Sequence, residues 1–389
     1  MADGRCIVCG TEDLVPLLAV RDVPVHCNRL ASTAAEARQV ARGTIDLVSC
    51  RRCGHVFNRS FDASRMVYDE DYETSLHHSP RFQAYAEELA DHLVDRYGLR
   101  GRDVVEVGCG GGAFLRLLHD RGGNRCVGFD PGAPERTPAD PEPITFVRSY
   151  FSGADAEVAA DLVCCRHVLE HVDAPAAFLA DLREAVARRP GAVLYLEVPN
   201  GLFTFSEMGI WDLIYEHCSY FTPASLRYAA EAAGFRVLDS SLAFGGQFLR
   251  IEAVAGDDRA QEAIATTADE AASWATTFAG AFRKKLADWE QRLALLSGAG
   301  RQAALWGAGS KGVTFLNLVS RSGAAIACAA DISPRKQGRY VPGAGQRVVS
   351  PEELADYSPE LVVVMNPMYR DEILERLRAA DLHPEIVLA

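Results

Sequence analysis

No uninterrupted apolar stretch in this chain approaches the roughly 20 residues needed to cross a bilayer, and the opening MADGRCIVCG lacks the apolar segment of a secretory signal. Neither a membrane span nor export is expected, which leaves the cytoplasm as the default compartment. Positive charge is also scarce. Lys and Arg number 40 against 53 Asp and Glu, a net charge of −13, and this balance argues against nucleic acid or an anionic membrane surface as the main partner. The cysteines do not form an even set. There are 11, scattered through the chain, so a disulfide framework is not expected. At 389 residues the chain exceeds one ordinary core, and two or three domains are expected. The expected partner is a small-molecule substrate and the expected assembly a monomer or weak dimer.

Four cysteines form two knuckles, Cys6-x-x-Cys9 and Cys50-x-x-Cys53. Each knuckle brings two thiolates within reach of one tetrahedral ion. The 40 residues between them exceed the usual finger spacing, so Zn2+ held here would staple a small domain. Four thiolates leave no open coordination position, which makes such a metal structural and not catalytic. His26, Cys27 and His55 are near enough in sequence to stand in for one ligand. Residues 1–62 form this expected zinc domain, whose short, Arg-rich, weakly periodic segments suit a unit in which metal replaces a hydrophobic core.

Further along, Asp103 to Val107 is an apolar run of strand length, Gly108 to Gly112 holds four glycines in five positions, and Ala113 to Arg121 reads as a helix. Gly108, Gly110 and Gly112 let backbone amides approach a ligand at a helix N-terminus, where partial positive charge gathers. A second strand, Cys126 to Phe129, ends in Asp130, 18 residues past Gly112. A carboxylate at that offset grips ribose hydroxyls. The glycines alone suit NAD as well as S-adenosylmethionine. Glu106 favours the second, because a carboxylate beside the turn attracts an ammonium and a sulfonium and repels a pyrophosphate.

From Asp103 to Val254 strands and helices alternate: DVVEVG, RCVGFD, ITFVRS, DLVCCRH, AVLYLEV, RVLDSSLAF and FLRIEAVA are the strand candidates. Alternation of this kind predicts an α/β domain with a parallel, doubly wound sheet, here residues 63–255. It is entered through a connector with Phe82, Tyr85, Leu89, His92 and Leu93 on one helical face. Residues 256–298 are Ala-rich, amphipathic and proline-free, hence a linker helix. Residues 299–389 carry a full G-x-G-x-x-G, Gly307 to Gly312, between one strand and another that ends in Asp331. Three strands are expected there, half of a dinucleotide fold. This C-terminal Rossmann-like lobe is therefore read as presenting its glycine turn and Lys311 to a substrate phosphate rather than binding NAD.

Two polar clusters carry the chemistry. His167, Glu170 and His171 follow the fourth strand at the carboxyl edge, where ligands bind in open α/β sheets, which puts His167 near the cofactor; capping the next helix is their other role. Tyr215, Glu216 and His217, with Tyr220 after them, lie in a loop past the fifth strand. An imidazole titrates near working pH and a neighbouring carboxylate can orient it, as proton abstraction requires.

In the order CxxC…CxxC, EVGCGGG, His171-Val172, Glu197 to Pro199, YEH, GAGSKG and DISPRKQGRYVPG followed by SPEEL, the chain resembles the three-domain, zinc-containing, S-adenosylmethionine-dependent sugar C-methyltransferases that act on nucleotide-linked 4-keto-deoxysugars. The resemblance spans nearly the whole length. It implies a class I methyltransferase domain, a structural zinc and antibiotic-sugar chemistry in which a proton leaves the carbon beside a ketone before that carbon is methylated. Carried to matching positions, it makes His217 the base, with Glu216 and His171 orienting it or stabilising the enolate, and Tyr215 part of the same catalytic loop. Tyr68 or Tyr72 enters from the connector, and Lys311, Arg335 and Lys336 contact phosphate. Where the family commonly reads Asn-x-Phe-Ala-His, this chain has His167-Val168-Leu169-Glu170-His171, and its tyrosine in the Tyr-x-Glu-His segment is moved by one. An O- or N-methyltransferase of another small metabolite is the second reading, and a non-catalytic or NAD-dependent protein the third.

Overall fold

A computed structural model describes residues 4–68, 72, 76–135, 144–155, 158–256, 265–319 and 325–389, with side chains in the long helix from Thr277 onward. Alternating apolar residues build the first sheet. β1 (Leu14–Pro24) and β2 (Arg42–Cys50) pair antiparallel along their length, and β3 (Val56–Asn58) adds to β2. Their apolar face, with Val20, Ile45 and Leu47, is buried in one cluster with Phe278, Phe282, Trp289 and Leu293 of the helix Ala265–Gly298 and with Phe315 of the C-terminal lobe. This corrects the expectation that metal replaces a core in the N-terminal unit. A sheet with one apolar face must bury it against another layer, and here the linker helix supplies that layer. The first part of the expected linker, 257–264, lies outside the described residues.

Residues of the middle domain form β4 (Asp103–Val107), β5 (Arg125–Phe129), β6 (Ile144–Val147), β7 (Leu162–Arg166), β8 (Val193–Pro199), β9 (Ser219–Tyr220), β10 (Phe235–Ala243) and β11 (Phe248–Ala255). Seven of them make one sheet in the order β10-β11-β8-β7-β4-β5-β6. β4 to β8 run parallel, as expected, whereas β10 and β11 pair antiparallel with each other and β11 antiparallel with β8. The four residues 244–247 between them are too few for a parallel crossover, which needs a dozen or more. β9 leaves this sheet and pairs with β3, so the loop after β8 is clamped between two domains. The connector helix, Pro80–Tyr97, buries Phe82, Leu89 and Leu93, with Tyr85 and His92 partly covered.

The C-terminal lobe adds β12 (Ala303–Trp306), β13 (Ile326–Ala330), β14 (Arg347–Val349), β15 (Leu361–Val364) and β16 (Glu385–Leu388), all parallel in the order β14-β13-β12-β15-β16. Two strands more than expected are present, because the short β14 and the half-exposed β16 carry too little apolar pattern to be seen in sequence. A Cβ on Gly312 would lie 2.0 Å from the carbonyl oxygen of Gly307. Backbone cannot move aside as a side chain can, so Gly312→Ala is expected to destabilise the protein by about 1–3 kcal/mol, read as a lowered melting temperature. Among the described residues no helix is long and apolar enough to cross a membrane.

Candidate active site

β4 ends in a turn whose glycines take the left-handed backbone: φ is 75° at Gly108, 49° at Gly110 and 75° at Gly112. A Cβ at Gly110 or Gly111 would meet nothing within 4 Å, whereas one at Gly108 would lie 2.1 Å from Val168. Open space thus lies over the arc and packing beneath it. Asp130 braces the turn: Oδ2 accepts from the Gly110 amide at 3.0 Å and Oδ1 from Gly132 at 2.7 Å, with lone pairs left over for ligand hydroxyls. Glu106 is buried and its Oε2 has no hydrogen-bond partner. Burial raises its carboxyl to about 8, opposed by the charge of Arg166 and reinforced by that of Asp130. A buried carboxyl with one unpartnered oxygen, an open glycine arc and a carboxylate at the next strand end fit the ammonium and ribose of S-adenosylmethionine. Glu106, Gly108, Gly110, Gly112 and Asp130 are the residues that would hold it.

His167 follows β7 with φ at 55°, a left-handed backbone that costs a non-glycine residue about 1–3 kcal/mol. Its ring is fixed in place: Nε2 is 3.1 Å from Glu197 Oε1, Nδ1 is 3.8 Å from Glu170 Oε1, and the ring meets Phe248 edge-on at 4.6 Å. Glu197 also takes hydrogen bonds from Arg166 at 3.1 Å, Tyr195 at 2.8 Å and Tyr85. Burial pushes the Glu197 carboxyl up, but Arg166 and His167 outweigh it and hold the group below the usual carboxylate range. Sequence reading gave no signal for Tyr85, Arg166 or Glu197 as a unit, since they lie on three separate elements.

His171 and His217 meet across the gap between the single turn Leu169–His171 and the loop before β9, with ring centroids 4.9 Å apart and planes at 76°. His171 Nδ1 donates to the Glu216 carbonyl at 3.0 Å and lies 3.2 Å from Tyr68 Oη. The Asp212 backbone lies close enough to the His217 ring to favour its protonated form, a small effect beside burial. Burial lowers both imidazoles, and for His217 the nearby His171, His167 and Lys311 add to that effect. Both rings are therefore neutral near pH 7. His171 spends its Nδ1–H on the Glu216 carbonyl and keeps Nε2 as a lone pair. One nitrogen of each ring and a carboxylate oxygen of Glu170 lie within 4.8 Å of one another.

Other expected site residues sit elsewhere. The Glu216 carboxylate points away from His217 into the N-terminal domain, where Oε2 accepts from the Cys27 amide at 3.1 Å and Oε1 lies 3.6 Å from His26 Nδ1. Coupling between this glutamate and the histidines runs instead through its main-chain carbonyl, because the chain turns at Tyr215–Glu216. Tyr215 is buried against Gly43, where a Cβ would come 2.4 Å from its ring, and its hydroxyl accepts from the Asp62 amide at 3.1 Å. It packs the two domains together and stands outside the histidine cluster. Tyr72 stacks edge-on with Tyr68 at 5.0 Å and accepts from Asn28 at 3.3 Å. Lys311 reaches across from the C-terminal lobe to Asp212 at 3.1 Å and Gln247 at 3.0 Å, so its charge is already countered. Arg335 is exposed in the turn after Asp331.

The four knuckle cysteines converge at the far end of the N-terminal sheet. Cys6 and Cys53 sulfurs are 3.6 Å apart, those of Cys9 and Cys50 3.5 Å, and all four lie within 4.8 Å of one another as free thiols. Sulfur at about 2.3 Å from a tetrahedral ion implies separations near 3.8 Å, so the set fits Zn2+. His26 and Cys27 face Glu216 instead, and His55 is buried against Ser219 at 3.2 Å, which leaves the cysteines as the whole ligand set.

Comparison with known proteins gives two family matches: a methyltransferase domain over residues 82–240 and a C-methyltransferase C-terminal domain over residues 252–383. The chain is 26% identical over 388 aligned residues to the C-methyltransferase NovU of Streptomyces niveus, covering 95% of this chain and 91% of that one. It is 28% identical to a ubiquinone biosynthesis O-methyltransferase of Aeromonas salmonicida over 39% of this chain and 70% of that one. Among solved structures, the 1,6-didemethyltoxoflavin-N1-methyltransferase of Burkholderia thailandensis aligns with a TM-score of 0.36 at 19% identity, covering 52% of this chain and 96% of that one.

Proposed function

We propose that this S-adenosylmethionine-dependent methyltransferase acts on carbon, removing a proton beside the ketone of a nucleotide-linked deoxysugar and methylating the enolate. The observation that carries the reading is the His171–His217 pair, two buried imidazoles kept neutral by burial and meeting edge to face, with His171 held through Nδ1 by the Glu216 carbonyl. A carbon acid needs a base of this kind, whereas an oxygen or nitrogen acceptor is already nucleophilic. The match to a C-methyltransferase C-terminal domain supports it. Bound at the glycine turn, the cofactor supplies an electrophilic methyl group on a positively charged sulfur. His217 takes the proton through its free nitrogen, since burial keeps that lone pair available at neutral pH. His171 and Tyr68 stand beside it and orient the acceptor. Tyr72 lines the connector side, and Arg335 presents the C-terminal lobe to the nucleotide. Structural Zn2+ at Cys6, Cys9, Cys50 and Cys53 completes the proposal.

The test is the product. Incubated with a nucleoside-diphosphate-linked 4-keto-6-deoxyhexose and cofactor bearing a 13C methyl group, the enzyme is expected to give a methyl resonance coupled to carbon. A methyl on oxygen or nitrogen would move the assignment to the second reading.

Cofactor binding carries its own pH signature. Burial pushes the Glu106 carboxyl up to about 8 and leaves its Oε2 without a partner, and a cation placed beside it favours the carboxylate. Binding therefore releases a proton, so affinity rises as pH climbs through about 8 and levels off above it. Calorimetry in buffers of different ionisation enthalpy is expected to detect this release in the wild type and not in Glu106→Gln. Asp130→Ala is expected to weaken binding by about 1–3 kcal/mol. An equal proton release in Glu106→Gln would remove Glu106 from the cofactor site.

A further inference from the structure

Glu170 occupies the single turn after β7 at the mouth of the sheet. Its side chain is 2% exposed and its Oε2 has no hydrogen-bond partner. A buried ionised carboxylate without a partner is costly, so such a group holds its proton. Burial raises this carboxyl to about 8, and the titratable groups around it include His167, His171, His217, Glu197, Tyr68, Cys165 and Cys218. A carboxyl oxygen of Glu170 and the nitrogens of His171 and His217 lie within 4.8 Å of one another. Three atoms no farther apart than that share a centre at most about 2.8 Å from each, within hydrogen-bond reach of one oxygen atom. His171 gives its Nδ1–H to the Glu216 carbonyl, which leaves its Nε2 as a lone pair. A protonated Glu170 adds an O–H donor beside these rings.

We propose that Glu170 is a further catalytic residue, a neutral carboxylic acid that donates a hydrogen bond to the acceptor's keto oxygen as the adjacent carbon loses its proton. The proposal rests on the C-methylation reading above. His217 takes the proton, the C–H electron pair becomes the C=C bond, and the carbonyl π pair moves to oxygen. Glu170 meets the charge on that oxygen and keeps its own proton. The enolate carbon then bonds to the methyl group, whose C–S pair stays with sulfur, the carbonyl re-forms, and His217 releases its proton to water. Sequence reading placed Glu170 in the right segment but assigned it no role, because an acid becomes a donor only through burial.

The experiment measures exchange of the proton beside the ketone of a thymidine-diphosphate-linked 4-keto-6-deoxyhexose in heavy water. S-adenosylhomocysteine is present, so exchange is read without methyl transfer. Glu170→Ala is expected to slow exchange about 10²–10³-fold, the loss of one oxyanion donor. Glu170→Gln keeps an N–H donor in the same place and is expected to lose only about tenfold, with S-adenosylhomocysteine affinity unchanged. Should Glu170→Ala fail to fold, Glu170→Gln decides alone: a loss beyond about 10²-fold in a variant with normal melting temperature overturns the proposal. Wild-type rates in Glu170→Ala also overturn it, as does exchange that vanishes on dialysis against a chelator and returns with Mn2+. Wild-type enzyme that shows no exchange and methylates oxygen or nitrogen would instead refute the C-methylation reading, and the proposal falls with it.

Discussion

His217→Ala is expected to slow both proton exchange and methyl transfer by roughly 10²–10⁴-fold, the range for loss of a positioned acid–base group, while cofactor affinity stays within about twofold. The asymmetry follows from position. His217 stands on the loop before β9 against His171, whereas the glycine turn, Glu106 and Asp130 belong to β4 and β5. Because burial holds the His217 imidazole well below its ordinary 6.5, the free base is present across the neutral range, and the acid limb of kcat falls below pH 6.5. A basic limb near pH 8 is expected at saturating cofactor, where Glu170 gives up its proton. Unchanged turnover in His217→Ala would take this residue out of the chemistry and leave it as a buried loop residue packed on His171.

Cys50→Ser/Cys53→Ser is expected to unfold the N-terminal unit and abolish activity, although no cysteine of the set touches the histidine cluster. A structural four-thiolate zinc contributes an apparent 10–16 kcal/mol, roughly, comparable to the about 5–15 kcal/mol by which a domain is stable at all. Around the cysteines only Val48 and Phe57 are fully buried apolar neighbours, so little else holds that end of the sheet. The damage would spread through β3, whose Val56 and Phe57 pair with Tyr220 and Ser219 just after His217. Metal analysis is expected to give about one equivalent of zinc per wild-type chain, as one four-thiolate site requires, with a lowered melting temperature on chelation. Full activity and an unchanged melting temperature in metal-free protein would show the knuckles to be incidental.

The sequence by itself determined whatever depends on near neighbours along the chain. Glycines at 108, 110 and 112 sit between an apolar strand and a helix, and glycine takes the left-handed backbone found there without the steric cost a side chain adds; Asp130 at the next strand end follows from the same local grammar. The paired cysteine knuckles are equally local within each pair. The antiparallel hairpin of β10 and β11 was within reach too, given four intervening residues, but alternation alone does not report strand direction. Tertiary structure decided the rest, because burial and long-range contacts set direction and charge. Adjacent in sequence, Glu216 and His217 diverge, one carboxylate going to Cys27 and the other residue's ring to His171. Lys311 reads as a phosphate ligand until Asp212 is found beside it. Glu170 reads as a residue of the ligand edge or a helix cap until its burial is known, and burial is what turns a carboxylate into a donor.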